Sequence, residues 1–148
     1  MDIRVQSAPF DPGQLLSEFT ANQDKAGAIV TFTGLTRDLG GTLATMEIEH
    51  YPGMTEKALT EIATEAQTRW PLDDVLILHR HGALKPTEPI MMVATASKHR
   101  KSAFEAADFL MDYLKSRAPF WKKEVTADGA NWVAAKDEDE VALQSWEQ

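Results

Sequence analysis

The amino-acid sequence predicts a single α+β domain with a mostly antiparallel sheet and three main helices. The chain has 148 residues, 43% of them hydrophobic, which is enough for one hydrophobic core but short of two. Segments with strand and helix periodicity follow one another in the order β α β β α β β α β β. The helices are scattered among strands that we expect to pair antiparallel, which favours α+β over a doubly wound α/β sheet. We expect residues 1–135 to form the domain and residues 136–148 to be an acidic C-terminal tail.

The N-terminal part of the chain predicts a strand, a helix and then two strands joined by a loop. Apolar and polar residues alternate from Ile3 to Ser7. Asp11 followed by Pro12 is a typical helix start, because Asp caps the helix and Pro fits its first turn. β-Branched and aromatic residues then indicate strands on both sides of a Gly-rich loop. These strands are expected at Ala26–Gly34 and Thr42–Tyr51, with the loop at Arg37–Gly41.

The remainder of the chain predicts two long helices and four further strands. Apolar residues recur at helical spacing in two segments, and each segment is ended by a proline. The helices are expected at Met54–Trp70 and Lys101–Arg117. The strands are expected at Val75–His79, at Pro89–Ala96 as a central strand, and at Phe120–Thr126 with Asn131–Val133 as a final hairpin, whereas Gly82–Glu88 is expected to be a connection.

Composition excludes several classes of function. The formal net charge of −8 argues against sequence-independent binding to nucleic acid or to an anionic membrane. No apolar run approaches the roughly eighteen residues that span a bilayer, and no secretory signal is visible, so we expect a cytoplasmic protein. The absence of cysteine excludes a disulfide, a thiolate zinc site, a cysteine nucleophile and a persulfide on this chain. Sulfur chemistry would therefore need sulfur from elsewhere.

Charge is distributed unevenly along the chain. The segment Ser97–Glu124 carries seven basic and four acidic residues, and we call it the cationic segment. The segment Asp128–Gln148 carries six acidic residues and one lysine, so we expect it to be a solvated acidic end.

Two positions suggest an anion site. Arg37 follows a strand and lies in a Gly-rich loop. Its guanidinium either binds a phosphate or carboxylate through two hydrogen bonds, or is exposed and paired with Asp38. His99 and Arg100 lie where a strand should lead into a helix, and the N–H groups of a helix N-terminus favour anions. This pair is either part of a phosphate site or a solvated run of charge.

Lysines flank the end of the last long helix. Lys115 lies at the edge of the apolar helix face and near Phe120 and Trp121 in sequence. Partial burial there would lower its pKa toward the range useful for proton transfer. Alternatively, Lys115 and Lys122 only extend their aliphatic chains over the aromatic pair.

Metal-dependent and serine hydrolysis have little support. The histidines do not follow an HExxH or HxxxH spacing, and the sequence contains no GxSxG motif and no Gly-rich phosphate loop of the Walker or GxGxxG type. We expect neither a metal nor a cofactor.

Four motifs, in order along the chain, resemble the large catalytic subunit of molybdopterin synthase, the MoaE family. The match runs from about Ala26 to Trp132 and also fits the length and the element order. The motifs are Thr31-Phe32-Thr33-Gly34 with Arg37, then Glu49-His50-Tyr51-Pro52-Gly53-Met54, then Ser97 with His99-Arg100, and finally the run from Asp112 to Glu124, DYLKSRAPFWKKE.

The resemblance implies a fold of the family's hammerhead type and a sulfur-transfer reaction. A small ubiquitin-like carrier subunit would bring sulfur as a C-terminal Gly-Gly thiocarboxylate. Two transfers to cyclic pyranopterin monophosphate would make the dithiolene of molybdopterin. A homodimer with one carrier on each protomer would form a heterotetramer. The lack of cysteine agrees, because the sulfur would arrive on the partner.

The resemblance also assigns roles to residues. Arg37, His99 and Arg100 match substrate-binding positions, Lys115 matches the lysine beside the carrier's C-terminus, and Phe120 is expected to contact that tail. Lys115 and Lys122 are the catalytic candidates, and Lys122, Lys123 and Glu124 match a second substrate-contacting stretch. Leu35 departs from the family pattern, since some members carry a basic residue there.

Two other functions fit the same anion site. One is a non-catalytic module on this fold that binds a phosphate ligand or a protein. The other is a metal-free phosphotransfer or hydrolysis enzyme, which would release inorganic phosphate, whereas sulfur transfer would not.

Overall fold

The computed structural model describes residues 1–133 and 137–147. The strands are β1 (Asp2–Gln6), β2 (Ala28–Leu35), β3 (Leu43–His50), β4 (Leu72–Arg80), β5 (Gly82–Leu84), β6 (Pro89–Ser97), β7 (Phe120–Thr126) and β8 (Gly129–Trp132). The helices are α1 (Pro12–Ala21), α2 (Met54–Arg69), α3 (Arg100–Ser116) and α4 (Asp137–Gln144), with 3₁₀ turns at Leu39–Gly41 and Ser145–Glu147. None of the described helices combines the length and apolar composition needed to cross a membrane.

The first sheet has the strand order β1-β4-β6-β2. β6 pairs antiparallel with both β4 and β2, and β1 pairs parallel with β4 at the edge. Every residue of β6 from Ile90 to Ser97 is buried, because strands flank it and helices cover both faces. The prediction of a central strand here is confirmed.

Side chains of β4 point alternately to the two faces of this sheet, and helices cover both faces. Val75 and Ile77 point into the main core, which α2 and α3 complete with residues such as Leu59 and Phe109. Leu76 points to the opposite face and contacts Phe19 of α1. The apolar side of each of these helices therefore packs on an apolar face of the sheet.

The second sheet has the order β5-β3-β7-β8 and is antiparallel throughout. Its β5 corrects the expectation that Gly82–Glu88 is only a connection, since Gly82 pairs with Ile48 and Leu84 is buried. Gly82 adopts a φ of 91°, which only glycine takes without strain, so the chain can turn back at once after β4. Of the described pairings only β1 with β4 is parallel, and the predicted α+β class is confirmed.

The C-terminal segment is packed on the domain, so the expectation of a solvated end is wrong for residues 138–147. Leu143 of α4 is buried, and the Trp146 ring lies edge-on to Trp70 and Phe109, each with ring centroids 5.6 Å apart. The Trp146 indole donates a hydrogen bond of 2.6 Å to the Asp112 carboxylate on α3. Two apolar side chains three residues apart thus anchor an otherwise acidic helix.

An ion pair also joins this segment to α3. The Arg117 guanidinium donates two hydrogen bonds, of 2.9 and 2.6 Å, to the Glu140 carboxylate. Both groups are exposed, so the pair fixes geometry more than it adds free energy of folding. The acidic residues are therefore held near the C-terminal end of α3.

Removing the Leu143 side chain tests this packing. Leu143→Ala is expected to lower the free energy of unfolding by about 2–4 kcal/mol, because it leaves a cavity under α4. Val141→Ala on the same helix is the matched control, since Val141 is 67% exposed and its loss should change little. Chemical denaturation of both variants provides the measurement. Equal stability of Leu143→Ala and Val141→Ala would contradict the packed arrangement.

Candidate active site

A pocket of about 370 Å³ opens where β2, β6, β7 and the C-terminal end of α3 meet. Its walls are mainly apolar, with three cationic side chains and one histidine among the described residues that line it. The lining consists of Phe32, Thr33, Gly34, Leu35, Arg37, His79, Ile90, Met91, Met111, Leu114, Lys115 and Lys122. A mainly apolar cavity with a few polar groups is the usual form of a small-molecule site.

Three cations reach the pocket from three different elements. Arg37 comes from the loop after β2, Lys115 from the last turn of α3, and Lys122 from β7. The structure therefore brings together residues from distant parts of the sequence that were singled out separately. Arg37 and Lys115 are exposed, whereas Lys122 is half-buried.

The desolvated lysine is Lys122, and the expectation of partial burial at Lys115 is wrong. Burial lowers the pKa of Lys122, the positive charge of Lys115 lowers it further, and the Asp139 carboxylate opposes the shift. Helical spacing placed Lys115 at the edge of the apolar face, and there its long side chain reaches solvent. Lys122 lies instead on the strand face that it shares with Phe120, where it lines the pocket.

Alternation along β7 separates the neighbouring lysines. Phe120 and Lys122 share one face of the strand, and Trp121 and Lys123 share the other. The Lys123 ammonium lies 3.6 Å from the Glu47 carboxylate and 5.4 Å from the centroid of the Trp132 ring. Lys123 therefore faces away from the pocket.

Glu124 is also outside the described lining of the pocket. It pairs across the second sheet with Met46 of β3 and with Asn131 of β8. Of the stretch Lys122–Glu124, only Lys122 reaches the cavity.

His99 and Arg100 lie at the other end of α3. Arg100 is the first residue of that helix and Lys115 is fifteen residues further on, so their Cα atoms are about 22 Å apart at 1.5 Å per residue. His99 and Arg100 line a separate shallow groove with Lys101, Phe104 and Glu105. Within one copy of the chain, this pair and the pocket lysines are not brought together.

His79 was missed as a pocket residue, because it belongs to no metal-ligand spacing and to no other recognised catalytic motif. It is 4% exposed, and its ring stacks on Phe120 with centroids 3.7 Å apart. Burial lowers the pKa of His79 to about 3, and the charge of Lys122 contributes to the shift. The signal was available, since Val75, Ile77 and His79 occupy alternate positions of one strand and share its inward face.

The other two histidines lie together outside the pocket lining. The His50 and His81 rings are 4.0 Å apart between centroids, and burial and the His50 charge lower the pKa of His81. Among the described residues there is no cluster of three metal-ligating side chains.

Comparison with known proteins identifies the family. Residues 5–117 match the family model described as MoaE protein. The chain belongs to the MoaE family. It is 65% identical to the molybdopterin synthase catalytic subunit of Cereibacter sphaeroides over 99% of this chain and all of that protein. It is 55% identical to the molybdopterin synthase catalytic subunit of Pseudomonas aeruginosa over the whole of both chains.

Solved structures agree with the fold. The molybdopterin biosynthesis MoaE protein from Burkholderia ambifaria superposes with a TM-score of 0.85 at 51% identity, covering 99% of this chain and 98% of that one. Molybdopterin synthase from Staphylococcus aureus superposes with a TM-score of 0.80 at 34% identity, covering 88% of this chain and 96% of that one. The family resemblance and the fold expected from it are confirmed.

Burial of Lys122 predicts a pH-dependent stability difference. The folded chain releases the Lys122 proton at a lower pH than the unfolded chain, so between the two pKa values the unfolded chain binds more protons and wild-type stability rises with pH. Lys122→Met removes this effect, so its stability advantage over wild type should be largest near neutral pH and shrink toward the ordinary lysine pKa. Denaturation at several pH values measures the difference, and a constant difference would contradict burial of the charged lysine.

Proposed function

We propose that this chain is the catalytic subunit of a molybdopterin synthase, which transfers sulfur from a carrier protein to cyclic pyranopterin monophosphate. The observation that supports this most is the pocket, where Arg37, Lys115 and Lys122 concentrate positive charge in a protein of net charge −8. A phosphorylated pterin and a thiocarboxylate are both anions, and both need such a local cationic site. Membership in the MoaE family supports this choice of reaction.

The sulfur arrives on the C-terminal Gly-Gly thiocarboxylate of a small ubiquitin-like carrier. This chain has no cysteine, so it cannot carry the sulfur itself as a persulfide. A protein–protein complex of subunits 1 and 2 of the molybdopterin-converting factor from Helicobacter pylori shares the fold, with a TM-score of 0.76 at 18% identity over 91% of this chain and 90% of that one. In each transfer the C–S bond of the thiocarboxylate breaks and water supplies the oxygen of the carboxylate that is left on the carrier. Two transfers make the dithiolene.

Lys115 and Lys122 carry the chemical step. A lysine beside the carrier's terminal carbonyl stabilises the negative charge that develops on its oxygen. Burial makes the charge of Lys122 more effective and its proton easier to release, so Lys122 is the better placed of the two for proton transfer. Phe120, on the same strand face as Lys122, contacts the carrier tail.

Arg37, His99 and Arg100 hold the substrate's phosphate, and the last two come from a second copy of the chain. Helix α3 keeps them about 22 Å from Lys115 of their own copy, as its rise per residue requires. Exposed apolar side chains support a homodimer, since Phe32 is 42%, Leu35 56% and Phe104 60% exposed. Two carriers on such a dimer make a heterotetramer.

Reconstitution tests this function. The purified chain, the thiocarboxylated carrier and cyclic pyranopterin monophosphate should together yield dithiolene product, and a carrier lacking its last two residues should yield none.

Lys122→Ala and Lys115→Ala should each lower kcat by about 10²-fold through loss of a charge that stabilises the transition state. Lys122→Arg should restore only part of the rate that Lys122→Ala loses, because arginine keeps the charge but does not exchange its proton near neutral pH.

Lys57→Ala, which removes an exposed lysine of α2, is the control for a general effect of charge. Full activity in both Lys115→Ala and Lys122→Ala would refute their chemical role. Release of inorganic phosphate without dithiolene would show a phosphohydrolase instead. Absence of product from the wild-type chain would refute the proposed function.

A further inference from the structure

His79, a residue of the pocket wall, carries a hydrogen-bond acceptor that no described residue satisfies. Its Nδ1 lies 2.7 Å from the backbone carbonyl oxygen of Arg80, and a carbonyl oxygen only accepts, so Nδ1 carries the proton. Nε2 on the other edge of the ring then holds a lone pair. It has no hydrogen-bond partner among the described residues, and His79 is part of the pocket wall.

Burial and two contacts of the His79 ring determine its protonation state and its orientation. Burial lowers its pKa to about 3, so the imidazole is neutral near neutral pH. The stack on Phe120 fixes the plane of the ring, with an angle of 15° between the two rings. The hydrogen bond to Arg80 fixes the rotation within that plane. The ring is therefore unable to turn Nε2 away or to become a donor.

This acceptor complements the other polar groups of the pocket. Arg37, Lys115 and Lys122 can only donate hydrogen bonds, and the Thr33 hydroxyl can donate or accept. Anionic oxygens of a ligand are attracted to the three cations and repelled by the lone pair of Nε2. A ligand group that lies next to Nε2 must therefore be a hydrogen-bond donor. The apolar wall around it favours a flat heterocyclic ring over a charged group.

We propose that His79 is a specificity-determining residue whose Nε2 accepts a hydrogen bond from a ring N–H of the heterocyclic substrate. The inference rests on the proposed function, in which that substrate is a reduced pterin with N–H donors. His79 acts here through binding and not as a base. It orients the heterocycle, while the cations hold the phosphate and the thiocarboxylate.

Two substitutions separate this role from a structural one. His79→Asn keeps an N–H near the position of Nδ1 that can donate to the Arg80 carbonyl, but leaves no acceptor near Nε2. His79→Gln places a carbonyl oxygen near the position of Nε2 and gives up the bond to Arg80. Titration with cyclic pyranopterin monophosphate, in the presence of the non-thiocarboxylated carrier, gives the Kd for each variant.

The two roles predict opposite orders of affinity. If Nε2 accepts from the substrate, His79→Asn should bind it about tenfold more weakly than wild type, because a ring N–H is left unpaired, and His79→Gln should lose much less. Affinity for the carrier should be unchanged in both variants, whereas a loss of carrier affinity instead would mean that His79 contacts the carrier tail and would overturn the proposal. Wild-type affinity in His79→Asn, or an equal or larger loss in His79→Gln, would also overturn it.

A measurement on the wild-type chain does not depend on the stability of the variants. The ¹⁵N resonance of the unprotonated Nε2 should shift when the pterin is added, while Nδ1 remains protonated, as expected for a new hydrogen bond to the lone pair. An unmoved Nε2 resonance with the pterin bound would refute the inference and leave the proposed function standing. Failure of the wild-type chain to bind the pterin at all would refute both.

Discussion

The constraint on which the site depends is the length and rigidity of α3. The helix is packed against the first sheet by buried residues in its middle, among them Ala103, Ala106, Phe109 and Leu110. Its two ends therefore keep a fixed separation, with Lys115 beside the pocket and Arg100 about 22 Å away. Within one copy of the chain, Arg37, Lys115 and Lys122 line the pocket, whereas His99 and Arg100 line a separate groove. The proposal of a site completed by a second copy follows from this distance.

The three cations of the pocket differ in how far they are buried. Arg37 and Lys115 are exposed and suit the attraction and holding of anions, whereas Lys122 is half-buried and has a lowered pKa. His79 lies on the pocket wall as a neutral acceptor, so it adds no further positive charge beside Lys122. The pocket thus combines exposed positive charge with buried or half-buried polar groups.

The sequence predicted the large elements because their signals are local. Helical spacing and flanking prolines located the ends of α2 and α3 to within one residue, and the apolar run after Pro89 located the central strand. The short β5 was missed because three residues carry too little periodicity, and its existence depends on pairing with β3. The packing of α4 was missed because net charge is a poor guide when two apolar residues, Leu143 and Trp146, decide burial.

The site was predictable in residue type but not in arrangement. Arg37, Lys115 and Lys122 were singled out from sequence and do meet in one pocket. Which lysine is buried depends on the strand face and on the end of α3, which no local pattern specifies. Lys123 faces Glu47 because β7 alternates, so adjacent lysines in a motif have different surroundings.

Mixed dimers test the central claim, that one site uses residues of two copies, most directly. Arg100→Ala and Lys122→Ala chains, each with its own affinity tag, are expressed together with the carrier, and dimers containing both are isolated by two-step purification. In such a dimer a shared arrangement gives one site with both substitutions and one with neither, so about half of the wild-type activity should return. The homodimer of each single variant should be nearly inactive. Activity no higher than that of the two single variants would contradict a site shared between copies.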